Sequence, residues 1–426
     1  MARILIASTA TPGHVFPLLK IAGHLVRHGH AVTVLSGKLF RQDVEKTGAQ
    51  FQPFDERIDF DYRHLESHFP LRATLPPGPA QMALALKNFF ADAMPFQDQD
   101  LRRLISQLSP DVVLIENTFY GALPLLLGPK DQRPKVACIG VTPLTLSSRD
   151  SIFYGPRIPP AVLPDDLSRS TLVEPSTLQL IDDVQAYFNA TLSAHGHPPL
   201  QSAVTDSLIL NVDRFLQLST QAFDYARAEL PATVQFVGPL NVKHPNGQSV
   251  AELFPGDERP LVVVTQGTLA NADLNQLLLP TLRALADLPV KVLALTGGRD
   301  TDAVAPQNAR IIDFVSYVDV LPEASVFITN GGFGAINGAL SHGVPVIVAG
   351  TGEDKAETAA RVVWARCGIN LGTSYPTEQA IREAVEKTLR TPSFKAHAQA
   401  IAEDFSRHDA LAAIHTQLGL LMPAPR

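Results

Sequence analysis

The chain is 426 residues long, 45% hydrophobic and 18% charged, with a formal net charge of −7 at pH 7. That length exceeds a typical single core and predicts two domains of about 200 residues each. The acidic balance and the lack of any Lys or Arg run argue against a nucleic-acid surface or an anionic-membrane patch, and no apolar run approaches the ~20 residues of a membrane span.

Arg3 to Ser8 has strand composition, and Thr9 to His14 is a loop containing Pro12 and Gly13. A helix is expected from about Phe16, with Pro17 in its first turn and Leu18, Leu19, Ala22, Leu25 and Val26 on one face. Gly29 closes it and Ala31 to Ser36 is the next strand, so the chain opens with a βαβ unit. From Phe51 to Pro79 the pattern breaks into scattered aromatics and prolines, a substrate-facing excursion. Helical period returns from Gln81 to Leu108. Asp111 to Ile115 is a buried strand ending in Glu116 and Asn117, and Lys135 to Val141 is another. Thr142 to Leu167 reads as a polar, proline-rich loop with Phe153 and Tyr154. Helix is expected from Leu172 to about Ala203, and strand from Ser207 to Asn211, Arg214 to Ser219 and Thr233 to Val237.

Gly238 to Arg259 mixes prolines, glycines and charges as an interdomain linker does. A second α/β series follows: strand Leu261 to Thr265, helix from about Asp273 to Leu288, and strands Val290 to Leu295, Arg310 to Phe314 and Ser325 to Thr329. After a helix from Gly334 to Ser341 come strand Pro345 to Ala349, helix Lys355 to Arg366, strand Gly368 to Leu371, and helices from Thr377 and Ser393. The expected class is α/β with two Rossmann-like, doubly wound domains facing across a cleft: residues 1–237 for an acceptor, a linker at 238–259, and residues 260–400 for a nucleotide. Residues 401–426 form a C-terminal helix and tail that can cross back to the first domain. Ligands bind beyond the carboxyl ends of such strands, so the cleft is the expected site.

The most informative stretch is Asn330 to Lys355, where a strand, a glycine-rich turn and a helix N-terminus succeed one another. Unpaired backbone N–H groups and the helix dipole there hold an anion, and glycines let it come close. In the first half, His14 stands ahead of a helix, where the dipole disfavours the imidazolium and suits the ring to act as a base. Glu116, at the end of a strand in the same sheet, can fix its tautomer. In the second half Thr268 can donate to a phosphate, Phe314 can stack a base and Val315 can offer its backbone to the base edge. Each has a plainer use: histidine as a cap, glutamate as a helix N-terminal acid, phenylalanine as core. The aromatics Phe89, Phe90, Phe96, Phe119, Phe153 and Tyr154 suit a flat or lipophilic acceptor, or simply a core. Two Asp-x-Asp triplets, Asp98 to Asp100 and Asp300 to Asp302, are set aside as chance matches in polar stretches. Cys138 and Cys367 lie far apart in apolar surroundings, without metal-ligand spacing, and the opening residues are a strand rather than a signal peptide. A cytoplasmic protein without disulfides is expected.

Asp-Phe-Val-Ser-Tyr-Val-Asp-Val-Leu from Asp313, Ile-Thr-Asn-Gly-Gly-Phe-Gly from Ile328, Ala-Leu-Ser-His-Gly-Val-Pro from Ala339 and Glu-Asp-Lys from Glu353 together resemble the donor signature of the UDP-glycosyltransferase superfamily, family 1, of GT-B fold. Thr-Pro-Gly-His-Val-Phe-Pro from Thr11 is similar to that family's opening. The resemblance implies inverting transfer of a sugar from a UDP- or dTDP-sugar to a small acceptor, with His14 as the base and Glu116 as its partner. It places Phe314 on the base with Val315 and Tyr317 beside it. Asn330, Gly332, Gly334, Ala335 and Thr268 fall around the diphosphate, and Asp354 and Lys355 on the sugar. Three departures follow: Asn330 replaces a phosphate-contacting His, Gly338 a ribose-binding Glu, and Lys355 a Gln, so the sugar need not be glucose. Backbone dipoles at the glycine turn would stabilise the leaving group, so neither a metal nor another cofactor is expected. A nicotinamide oxidoreductase is disfavoured, because residues 9–14 lack Gly-x-Gly-x-x-Gly. A sugar-nucleotide epimerase and an inactive homologue that activates a partner are the alternatives.

Overall fold

Apolar runs in the two halves build two separate parallel sheets. The computed structural model describes residues 1–76, 78–147, 175–227, 230–240, 248–267, 271 and 273–422. In the first sheet the order is β3-β2-β1-β4-β5-β6-β7, from β1 (Arg3–Ala7), β2 (Ala31–Ser36), β3 (Gln50–Pro53), β4 (Val112–Glu116), β5 (Lys135–Gly140), β6 (Arg214–Gln217) and β7 (Val234–Phe236). In the second it is β10-β9-β8-β11-β12-β13, from β8 (Leu261–Thr265), β9 (Lys291–Leu295), β10 (Ala309–Ile312), β11 (Ala324–Thr329), β12 (Val346–Val348) and β13 (Gly368–Asn370). All pairs are parallel, so helices cover both faces and the strands read as continuous apolar runs. Alternation along β8 shows this: Leu261 and Val263 enter one core, Val262 and Val264 the other.

The chain divides into two compact units. One comprises Met1–Leu218, Ala226–Val237 and Asp409–Arg426; the other Ser219–Tyr225 and Gly238–His408. Two segments therefore belong with residues distant in sequence. Ser219–Tyr225 sits in the second unit, where Arg361 donates to Asp224 at 2.8 Å and Phe223 stacks on Phe333. Asp409–Arg426 sits in the first, where Ile414 and Leu418 are fully buried. The expected linker is not all linker: its helix Val250–Leu253 buries Val250 and Leu253 in the second core.

Several element expectations need correction. The first helix runs Pro12–Arg27, so His14 lies inside its first turn and Pro17 in its interior. Pro12 takes the early position that tolerates proline. The long helix from Gln81 is broken into Pro79–Ala85, a wider turn over Leu86–Ala91, and Met94–Leu108. Residues 207–211 are helix, Val204–Asn211, not strand. A run as short as Leu208-Ile209-Leu210 cannot be assigned by periodicity, and Ser207 hydroxyl bonding to the Val204 carbonyl follows helical geometry. Strand β3 was not expected inside the irregular stretch. Cys138 and Cys367 are both free and buried. Among the described residues no helix is long and apolar enough to cross a membrane.

Candidate active site

In a doubly wound sheet the strand order reverses between two neighbours whose following segments diverge, leaving room at their carboxyl ends. In the first sheet these neighbours are β1 and β4, registered Ile4 to Val112 through Ala7 to Ile115. His14 follows β1 and Glu116 ends β4, so two residues 102 apart in sequence meet: His14 Nδ1 lies 2.9 Å from Glu116 Oε2. The carboxylate is fully buried and the imidazole side chain 19% exposed. Glu116 also accepts from the Thr9 N–H at 3.0 Å, the Thr118 N–H at 2.7 Å and the Thr118 hydroxyl at 2.9 Å. Burial alone would push this carboxyl up. The His14 charge and the hydrogen bonds from His14 and Thr9 outweigh it and hold the group below its usual value. An ionised carboxylate only accepts, so in its neutral form His14 carries its proton on Nδ1 and its lone pair on Nε2. The arrangement can take a proton from a hydroxyl and stabilise the resulting imidazolium.

In the second sheet the reversal lies between β8 and β11, which end in register at Thr265 and Thr329. Here Asn330 departs from expectation. It is buried, and its amide donates to the Gln266 carbonyl, tying the two strand ends together. Gly332 caps the helix Phe333–Ser341, and beyond Gly332 and Gly334 a side chain would meet nothing within 4 Å. Ala335 packs against the core at one edge. Those two glycines are thus not required by packing, and the backbone there is open to close approach. Thr268 lies outside the described residues.

Phe314 is 42% exposed, so it is not core, and its ring lies along Gly298, where a side chain would meet it at 3.1 Å. The Val315 side chain is buried, leaving its backbone for any outward contact. Tyr317 does not stand beside Phe314 on the surface. Its ring packs edge-on against Phe327 and its hydroxyl bonds Thr265, with burial pushing the phenol up to about 12. The same ring fills the space over Gly338, where a Cβ would come within 3.3 Å, so a glutamate there would displace it. Asp354 starts the helix Lys355–Trp364. Lys355 is buried, its stem against Gly331 and Gly350 and its ammonium paired with Glu353, rather than presented to a sugar.

Among the acceptor candidates, Phe89 and Phe90 join a chain of ring contacts running from Phe60 and Phe69 to Tyr120 and Phe188. Phe119 is fully buried, stacked on Phe54, and belongs to the core. Phe153 and Tyr154 lie outside the described residues. An apolar cavity of about 60 Å³, lined by Met82, Leu86, Leu180, Ile181 and Val184, opens between helices Pro79–Ala85 and Pro175–Ala194. Sequence reasoning missed it, and missed Thr9 and Thr118 beside the dyad. Only the position of Thr118 two residues past a strand-ending acid could have signalled it. Of the Asp-x-Asp triplets, Asp98 and Asp100 are held by Arg102 and Arg103 in one helix, while Asp300 and Asp302 are exposed in a loop.

Known proteins resemble this chain along nearly its whole length. The family described as "Erythromycin biosynthesis protein CIII-like, C-terminal domain" matches residues 280–418. UDP-glycosyltransferase 2 of Phaeomoniella chlamydospora is 32% identical over 99% of this chain and 98% of its own. 4'-Demethylrebeccamycin synthase of Lentzea aerocolonigenes is 34% identical over 96% of this chain and 97% of its own. The crystal structure of a calicheamicin glycosyltransferase superposes with a TM-score of 0.74 at 19% identity, covering 99% of this chain and 98% of that one.

Proposed function

The chain belongs to the UDP-glycosyltransferase family and is a glycosyltransferase of the GT-B fold, and from that premise we propose that it transfers a sugar, with inversion and without a metal, from a nucleoside diphosphate to a hydroxyl of a lipophilic or aromatic natural product. The observation that carries the proposal is the His14–Glu116 dyad at the reversal point of the first sheet. His14 Nε2 takes the acceptor O–H proton as the oxygen bonds to the anomeric carbon. The bond from that carbon to the diphosphate breaks, and its electron pair leaves on the phosphate. A single displacement from the face opposite the leaving group inverts the anomeric centre. Proton removal contributes roughly 10²–10⁴-fold. Growing charge on the diphosphate meets the N–H groups at the start of helix Phe333–Ser341, which supply the stabilisation a metal would otherwise provide.

The aromatic chain through Phe89 and Phe90 and the apolar cavity beside Met82 support a lipophilic acceptor. Exposed Phe314 supports a stacked base, uracil or thymine. With Lys355 turned to Glu353, the sugar contact falls to Asp354, so a deoxysugar remains as good a donor as glucose.

The test incubates the protein with UDP- and dTDP-sugars and a panel of phenolic acceptors in chelator, read by mass spectrometry. The expected result is one hexose or deoxyhexose added to an acceptor, with His14→Ala reducing turnover by about 10²–10⁴-fold. Wild-type turnover in His14→Ala would remove the base from the mechanism. A donor sugar altered without acceptor would identify an epimerase, and no turnover at all with intact nucleotide binding an inactive homologue.

A further inference from the structure

The helix that holds His14 in its first turn carries His24 near its other end and is capped there by His28, with His24 about 15 Å further along at 1.5 Å per residue. Four residues apart, His24 and His28 share a face, and their ring centroids lie 4.1 Å apart. The C-terminal helix Ala410–Leu421 packs on this helix and sets His415 against both rings, with centroids 5.5 Å from His24 and 4.9 Å from His28. One ligand nitrogen from each of these three residues lies within 4.8 Å of the other two. His30, just past the end of the first helix, closes the group with its Nε2 3.0 Å from Nε2 of His415.

Independent features point to a ligand. His28 Nδ1 lies 2.8 Å from the His24 carbonyl, which can only accept, so the His28 proton is on Nδ1 and Nε2 keeps its lone pair. Metal-binding histidines are anchored through their second nitrogen in this way. His24 Nε2 and His30 Nδ1 are buried without a hydrogen-bond partner, a cost that ligation would remove for His24.

We propose that His24, His28 and His415 bind one divalent transition-metal ion of the zinc class, with His30 orienting His415, and that the ion clips the C-terminal helix to the first helix. Three neutral imidazoles with a fourth position open to water suit Zn²⁺, whereas Mg²⁺ and Ca²⁺ require oxygen ligands that the three residues do not offer. The ion would hold together two segments of one unit from opposite ends of the sequence, a role separate from sugar transfer.

The experiment titrates Zn²⁺ into the untagged, chelator-treated full chain by calorimetry, with X-ray absorption on the loaded protein. One ion per chain is expected, with three nitrogen donors at about 2.0–2.1 Å. Affinity should fall at least tenfold in His28→Gln and in His415→Gln, and saturating Zn²⁺ should raise the melting temperature of the wild type but not of His28→Gln. His28 is exposed, so His28→Gln keeps the fold, as circular dichroism checks. No binding by the wild type, or binding unchanged by both substitutions, overturns the site.

Discussion

At the scale of the residue, the meeting of His14 with Glu116 was legible because one follows and the other ends a buried strand, and the carboxyl ends of parallel strands are where a doubly wound sheet binds. The hydroxyls around them were not, because Thr9 and Thr118 obey no period and are recruited only once β1 and β4 lie side by side. Phe119 shows the limit from the other direction: one residue beyond Thr118, the same strand end delivers an aromatic to the core. The buried carboxylate makes a pH prediction. Glu116 titrates below the ordinary glutamate value of 4.5 in the folded chain. Between its folded value and 4.5 the unfolded chain binds the extra proton, so stability rises with pH there. The contribution is complete above 4.5 and is lost as pH falls through the folded value. Urea midpoints followed into acid should therefore fall more steeply for wild type than for Glu116→Gln. His14→Ala should be intermediate, because the His14 charge is the largest influence lowering Glu116. Equal slopes would mean that Glu116 is not held ionised.

At the scale of the element, the glycine-rich stretch was readable as a strand, turn and helix because its punctuation is local. Its side-chain directions were not, since Tyr317 and Lys355 turn inward for tertiary reasons: the empty space over Gly338, and the channel between Gly331 and Gly350. Two glycines of one turn separate folding from binding. Gly331 has φ of +104°, and a methyl there would sit 3.0 Å from Val348 Cγ1 and 3.1 Å from Lys355 Cβ. Gly331→Ala should cost about 1–3 kcal/mol of stability. Gly334 lies in a helix with nothing near it, so Gly334→Ala should leave stability unchanged or raise it by up to about 1 kcal/mol. If the donor diphosphate rests on that turn, the same methyl should raise the donor KM about tenfold, equivalent to about 1.4 kcal/mol. Thermal unfolding and initial rates on the two variants decide it. An unchanged donor KM in Gly334→Ala would move the phosphate elsewhere.

At the scale of the whole molecule, length and the linker composition announced two units, while their true membership depends on contacts that no local pattern encodes. Asp224 belongs with the second unit because Arg361, 137 residues later, is almost completely buried against it, with Glu357 and the Tyr225 ring completing the surroundings. The C-terminal helix belongs with the first because Ile414 and Leu418 have their burial there. With a sheet and core in each unit, unfolding should resolve into two transitions rather than one. Arg361→Ala removes the buried guanidinium that pairs with Asp224 and should lower the second unit's transition by about 3–5 kcal/mol. Ending the chain at Asp409 removes two fully buried aliphatic side chains, each worth about 2–5 kcal/mol, and should lower the first unit's transition instead. Nucleotide then assigns the donor site without reference to turnover. UDP or dTDP at about a hundred times its Kd adds about 2.7 kcal/mol to whatever unit binds it. Calorimetry should show that shift in the transition that Arg361→Ala lowers, and a shift confined to the other would place the donor on the wrong sheet.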